Sequence, residues 1–248
     1  MKYILSILCF LFTKQVFSQS DSINLDLSNS SKIVQQHIAP FNNRNLDSFS
    51  NAFHKDIMVT RFPDDTMYIG KEKLKENYKK FFKENKKSHV SVLNRMTLKN
   101  WVIDEELGTV NNSTNRHISI YSTKNDKIKS MTFVGNKQTT SNPESIVNKQ
   151  LLAYNNRDID KFIETYSGQI KLYMFPNQLI SKGHETMRKQ YAPMFEKVSD
   201  LNAQIVNRMV LGNKVIDKEK VTYNGNTFYA IAIYEVKDGK ISKVTFIQ

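Results

Sequence analysis

Apolar residues along this chain recur first at helical spacing and then at every second position, and the same change of period happens twice. In the first half Ile33, Val34 and Ile38 share one face of a helix from about Lys32 to Asn43, with Ser31 as its N-cap. In the second half Asn142, followed by Pro143 and Glu144, opens the matching helix. The tripeptide Asn-Asn-Arg, at 42–44 and 155–157, breaks each helix, and Asn45 or Asp158 caps a short second one carrying Phe49 or Phe162. Next come IMVTRFP (57–63) and IKLYMFP (170–176), each an alternating strand that ends at its proline. Gly70 and Gly183 precede a third helix, with Leu74, Tyr78 and Phe82 or Met187, Tyr191 and Phe195 four residues apart; Pro193 is expected to kink or end the second of these early. Long strands follow at about 89–98, 101–110, 115–123 and 127–134, and again 113 residues later. Gly212-Asn213, Asn224-Gly225 and Asp238-Gly239 supply hairpin turns.

The two halves are copies. LNRMTLKNWVIDEE (Leu93–Glu106) returns as VNRMVLGNKVIDKE (Val206–Glu219), and about a third of the positions from Ile33 to Gly135 are identical 113 residues on. A period that long exceeds a solenoid repeat, so each copy closes its own core. The expected architecture is α+β: two tandem cone-shaped domains, each of three helices packed on a curved antiparallel sheet. The domains span 31–135 and 143–248, joined by a short polar linker, 136–142, which ties the copies closely enough to pack sheet to sheet. This predicts an intramolecular pseudo-dimer, with a homodimer as the alternative.

Residues 1–18 read as a secretory signal peptide, with Lys2 ahead of an apolar run from Tyr3 to Phe12 and cleavage near Ser18, and 19–30 as a flexible leader. A secreted or periplasmic protein is expected, without a membrane span. Cys9, the only cysteine, leaves with the signal, which removes disulfides and thiol catalysis. The net charge of +12 falls to +10 without Lys2 and Lys14, and the lysines are scattered, with no basic stripe or motif pointing to nucleic acid.

The order of elements, the Phe-Pro turns, the glycine before the third helix, and IVNRMVLGNKVIDKE followed by AIAIYEVKDGKISKVTFI resemble the SnoaL-like branch of the nuclear-transport-factor-2-like superfamily. The second copy matches nearly throughout and the first is a diverged version. The resemblance implies a cone fold with a pocket, in a superfamily that includes ketosteroid isomerases, polyketide cyclases and noncatalytic modules. The isomerases' tyrosine falls near Gln150 and His37, their base near Met174 or Phe175 and Arg61 or Phe62, and their second aspartate near Ala232 and Ser119. None of the three roles is filled, so no catalytic residue is assigned.

Asn94 and Asn207, by strict alternation, share the apolar strand face of Met96 and Leu98 or Met209 and Leu211; each either binds a ligand in the pocket or satisfies backbone from a neighbouring turn. Arg95 and Arg208 point the other way, toward Asp104 and Asp217 in solvent or a sheet-to-sheet contact. Tyr173, Tyr191, Tyr234 and Tyr78 either ring a cavity or are core tyrosines with one hydrogen bond. His184 and His117 are candidate acid–base groups if they reach a pocket. The histidines lack ligand spacing, so neither a metal nor a cofactor is expected. Three functions remain open: binding of a small apolar molecule, with the second copy the better candidate; an isomerase, cyclase or hydratase using a His or Tyr with a neighbouring carboxylate, favoured by an ionisable cluster in one pocket; and an interaction module with filled cones.

Overall fold

The computed structural model describes residues 28–139 and 142–248, so the expected signal segment and most of the leader lie outside the described residues. The first unit runs α1 (Asn29–Gln35), α2 (Ile38–Asn42), α3 (Leu46–Asn51), β1 (Phe53–Arg61), β2 (Asp65–Ile69), α4 (Lys71–Glu84), β3 (His89–Leu98), β4 (Trp101–Val110), β5 (Ser113–Lys124) and β6 (Lys127–Val134). The second repeats it as α5 (Pro143–Asn155), α6 (Ile159–Glu164), β7 (Tyr166–Met174), β8 (Gln178–Lys182), α7 (His184–Lys197), β9 (Asn202–Leu211), β10 (Lys214–Tyr223), β11 (Asn226–Lys237) and β12 (Lys240–Ile247). Each unit forms one six-stranded sheet, ordered β2-β1-β6-β5-β4-β3 or β8-β7-β12-β11-β10-β9, with helices against one face. This is the expected α+β pair of cones.

Four local expectations are corrected. The sheets are mixed, because β1 lies parallel to β6 and β7 parallel to β12. The Phe-Pro turns lead into the additional short strands β2 and β8, which lie at sheet edges; β2 is almost wholly exposed and so leaves little hydrophobic pattern. The first helix starts earlier, capped by Ser28, whose side chain accepts from the Ser31 N–H, and it breaks at His37. Finally, α7 continues through Pro193 to Lys197; Met187 and Phe195 are buried on its inner face, and that packing outweighs the missing N–H.

Each cone has its own aromatic-rich core, Phe49, Phe53, Leu74, Phe82 and Tyr121 in the first and Phe162, Tyr166, Met187, Phe195 and Tyr234 in the second. A third apolar cluster joins the backs of the two sheets: Met96, Ile103, Ile118 and Ile120 meet Met209, Ile216, Ile231 and Ile233. The central strands are therefore buried on both faces. Phe62 and Phe175 stack across this junction with ring centroids 6.4 Å apart. The linker's start is pinned to the β9–β10 turn, where the Asn213 N–H donates to the Lys137 carbonyl at 2.9 Å. Gly212 is required there, since it has φ +56° and a Cβ would stand 2.3 Å from that same oxygen.

Asn94 and Asn207 face neither cone. A β-bulge in β3 leaves Leu93 unpaired between Val92 and Asn94, and the matching bulge in β9 leaves Val206 unpaired. The bulge turns only the residues before it, such as Val90 and Ala203, toward the cones; beyond it strict alternation holds, and each asparagine keeps the face of Met96 and Leu98 or Met209 and Leu211, which is the junction. There the two amides bond reciprocally: Asn94 Nδ2 donates to Asn207 Oδ1 at 2.9 Å, and Asn207 Nδ2 to Asn94 Oδ1 at 3.0 Å. Each also donates to the backbone carbonyl of the arginine beside its partner, at 3.2 Å. Arg95 and Arg208 are turned inward instead. Arg95 grips Asp104 through two 2.6 Å bonds and reaches Gln35 on α1; Arg208 grips Asp217 likewise and reaches Asn148 on α5. Both aspartates are fully buried, so these pairs clamp the first helix of each unit to its sheet and are not solvent pairs.

Candidate functional site

Each cone encloses a cavity, of about 740 Å³ in the first unit and about 600 Å³ in the second. The chemistry of the first cavity comes from register. In β4, Asp104 and Glu106 share the inner face; in β5, His117, Ser119 and Tyr121 do, while Ile118 and Ile120 fill the junction behind. Antiparallel pairing sets Glu106 directly opposite His117.

Glu106 is the hub. His117 Nε2 lies 2.7 Å from Oε2, Ser119 Oγ donates to Oε2 at 3.0 Å, and the Tyr121 hydroxyl donates to Oε1 at 2.8 Å. Burial by itself would raise the Glu106 pKa; the His117 N–H and charge and the Tyr121 hydroxyl outweigh it and hold the carboxylate below its ordinary value. Burial pushes the Tyr121 phenol well above its ordinary range, so it stays a neutral donor. Behind it, His37 sits in the break between α1 and α2, ringed by Phe49, Phe53 and Tyr121. Its Nδ1 is 2.5 Å from the Val34 carbonyl, which can only accept, so Nδ1 carries the proton and Nε2 faces the Tyr121 oxygen at 3.4 Å. Burial lowers the His37 pKa and keeps the ring neutral.

His117 is about one-third exposed, and Gly108 gives it room. A Cβ at Gly108 would come 3.0 Å from Cε1 of the imidazole. With Nε2 turned to Glu106, Nδ1 stands over Gly108 in the cavity wall. Tyr68 and Tyr78 line the same space; burial raises Tyr68 to about 12 and Tyr78 further, so both remain neutral hydroxyls.

The second cavity keeps the carboxylate and the phenol and loses the histidines. Glu219 accepts from the Tyr234 hydroxyl at 2.8 Å, but Gln150, Ala230 and Ala232 stand where the first unit has His37, His117 and Ser119. Glu219 borders the cavity yet is walled by protein, and burial raises its pKa to about 7 despite the tyrosine's bond. The walls are otherwise apolar and aromatic, including Tyr154, Phe162, Met194, Phe228 and Phe246.

Of the residues picked out by sequence, Tyr78 and His117 line the first cavity and Tyr191 and Tyr234 the second. Four others do not line either. Asn94 and Asn207 bond each other across the junction; Tyr173 lies under Lys243, whose Nζ is 4.8 Å from the ring centre; and His184 bonds the Tyr166 carbonyl at 3.0 Å at the start of α7. Glu106, Glu219, His37 and Gln150 were not among the selected positions. For Glu106 the signal was alternation, since Asp104 and Glu106 share one face of β4 and His117, Ser119 and Tyr121 one face of β5, with Ile103, Ile118 and Ile120 opposite; His37 and Gln150, on the helical layer, had no such signal. Among the described residues, no group of three or more His, Cys, Asp or Glu side chains could hold a metal, and no helix is long and apolar enough to cross a membrane.

The repeated fold, helices on one face of a six-stranded mixed sheet that closes over a cavity, defines a tandem of nuclear-transport-factor-2-like cones. The family model of the SnoaL-like domain matches residues 147–244, nearly all of the second unit. Similar solved structures each cover about the length of one unit. A cystatin-fold protein from Novosphingobium aromaticivorans is 18% identical and covers 44% of this chain and 99% of its own, with a TM-score of 0.41. A nuclear-transport-factor-2-like protein of unknown function from Cytophaga hutchinsonii is 16% identical, covering 44% of this chain and 92% of its own at a TM-score of 0.37. A proposed polyketide cyclase from Sinorhizobium meliloti is 20% identical, covering 41% and 93% at a TM-score of 0.37. A search of the curated proteins finds no match.

Proposed function

We propose that the first cone is a proton-transfer site of the isomerase, cyclase or hydratase class, acting on a small, largely apolar carbonyl compound. The observation that carries this reading is the 2.7 Å bond between His117 and a Glu106 whose two oxygens are both engaged, set in the wall of an apolar cavity. Glu106 holds the imidazole with Nε2–H donated to it, which leaves Nδ1 as the base. A base of this kind suits a carbon acid next to a carbonyl, and His117 returns the proton at a second position or to a leaving oxygen. The neutral Tyr68 and Tyr78 hydroxyls, with Lys73 in the same wall, are the groups available to an enolate oxygen. The roles differ from those of the ketosteroid isomerases, whose residues are not matched.

In this account the second cone is a binding site and the two units act as one intramolecular pseudo-dimer, an arrangement supported by the shared apolar cluster and the paired asparagines. Residues 1–18 would direct export, so the working compartment is periplasmic or extracellular. The reaction is tested by incubating the chain with α-tetralone in deuterium oxide and following loss of the α-proton signals by NMR. Catalysed exchange that falls about 10²-fold or more in His117→Ala is expected. Exchange no faster than in buffer, or unchanged in that variant, would overturn the assignment.

A further inference from the structure

The second cavity holds two polar atoms that the protein leaves unsatisfied. Gln150 on α5 is 6% exposed, and its Oε1 has no hydrogen-bond partner among the described residues. Ser181 on β8 is also 6% exposed, and its Oγ likewise has none. Both side chains line the one cavity. Folded proteins rarely leave such atoms bare, because each gives up the hydrogen bonds it makes in water and gains none in return.

The deficit belongs to this cone and is no property of the fold. The position of Gln150 is held in the first unit by His37, bonded to Val34, and that of Ser181 by Tyr68, bonded to Asn77. Where the first cone fills these two places with bonded rings, the second has shorter, non-aromatic polar groups. The charged groups around it are otherwise engaged or peripheral: Glu219 accepts from Tyr234, Lys189 pairs with Glu185, and Lys197 is exposed. Nothing in the interior calls for a charged ligand.

We propose that the second cone is a receptor for an uncharged, largely apolar molecule with hydroxyl groups at two separate points, one bonding Gln150 and the other Ser181. A hydroxyl both donates and accepts, so it completes Gln150 Oε1 as donor and Ser181 Oγ in either sense. The two partners stand on a helix and on the edge hairpin, so the hydroxyls lie on different walls, with the apolar body against Tyr154, Phe162, Met194, Phe228 and Phe246. This site does not rest on the reaction assigned to the first cone.

The test uses the full chain and three probes of one shape: biphenyl, its para-hydroxy derivative and its para,para′-diol, with affinities read from ligand fluorescence. Each added hydroxyl is expected to tighten binding about tenfold, the gain from completing one buried polar atom. Gln150→Leu should remove one of the two steps and Ser181→Ala the other. The double variant should bind all three probes alike while holding biphenyl at least as tightly as before, a readout that an unfolded cone would lose. Absence of binding, equal affinities in the parent chain, or steps that persist in the double variant would each overturn the proposal.

Discussion

Glu106 and Glu219 occupy equivalent positions, yet their surroundings predict opposite responses to the same substitution. For Glu219 the rise from the ordinary 4.5 to about 7 corresponds to about 3 kcal/mol, at about 1.4 kcal/mol per pH unit. The folded chain binds the proton more tightly than the unfolded one. The associated stability is therefore complete below about pH 4.5 and is lost as pH rises to about 7, after which the loss is constant. Glu219→Gln keeps an acceptor for the Tyr234 hydroxyl and never ionises. It should match the parent chain near pH 4 and exceed it by up to about 3 kcal/mol at pH 8, a rise in Tm of about 5–10 °C for a chain of this size. Glu106 is held below its ordinary value, so its contribution is present at neutral pH and lost as pH falls through the carboxylate range. Glu106→Gln should be less stable than the parent at pH 7 and approach it in acid. Thermal unfolding of the three proteins between pH 4 and 8 decides the matter. A Glu219→Gln difference that is flat with pH, or the same sign for both variants at pH 7, would refute the electrostatic contrast between the cones.

The junction and the clamps make separate predictions. Asn94→Leu and Asn207→Leu should each cost about 1–3 kcal/mol in urea unfolding, because the remaining amide loses its partner, and the double substitution should cost less than the sum. Asp217→Asn removes the charge facing Arg208 beneath α5 and should destabilise by about 3 kcal/mol, measured the same way. Gly108→Ala should leave Tm nearly unchanged but cut α-tetralone exchange about tenfold or more, because the new methyl displaces the His117 ring.

The fold was legible because a 113-residue repeat and two hydrophobic periods agreed with each other. The site was less so, for two physical reasons. Alternation follows one face only while the ladder is regular: the extra residue at Leu93 or Val206 divides β3 and β9, so Val90 and Ala203 face the cones while Asn94 and Asn207, in step with Met96 and Met209, face the junction. In addition, the central strands are apolar on the back because another sheet covers them. The isoleucines of HISIY therefore mark the junction, and the polar residues between them mark the cavity. His117 was recognised and its partner Glu106 was not, since cross-strand register between β4 and β5 is needed to set them opposite.

The central claim is that Glu106 fixes His117 as a base pointing into the first cavity. It is tested most directly by long-range proton–nitrogen NMR of the neutral imidazole, in the parent chain and in Glu106→Gln. The account predicts one neutral tautomer in the parent, protonated at Nε2 with Nδ1 free, and mixed tautomers once the carboxylate is replaced. A neutral ring protonated at Nδ1, or a tautomer that Glu106→Gln leaves unchanged, would contradict it.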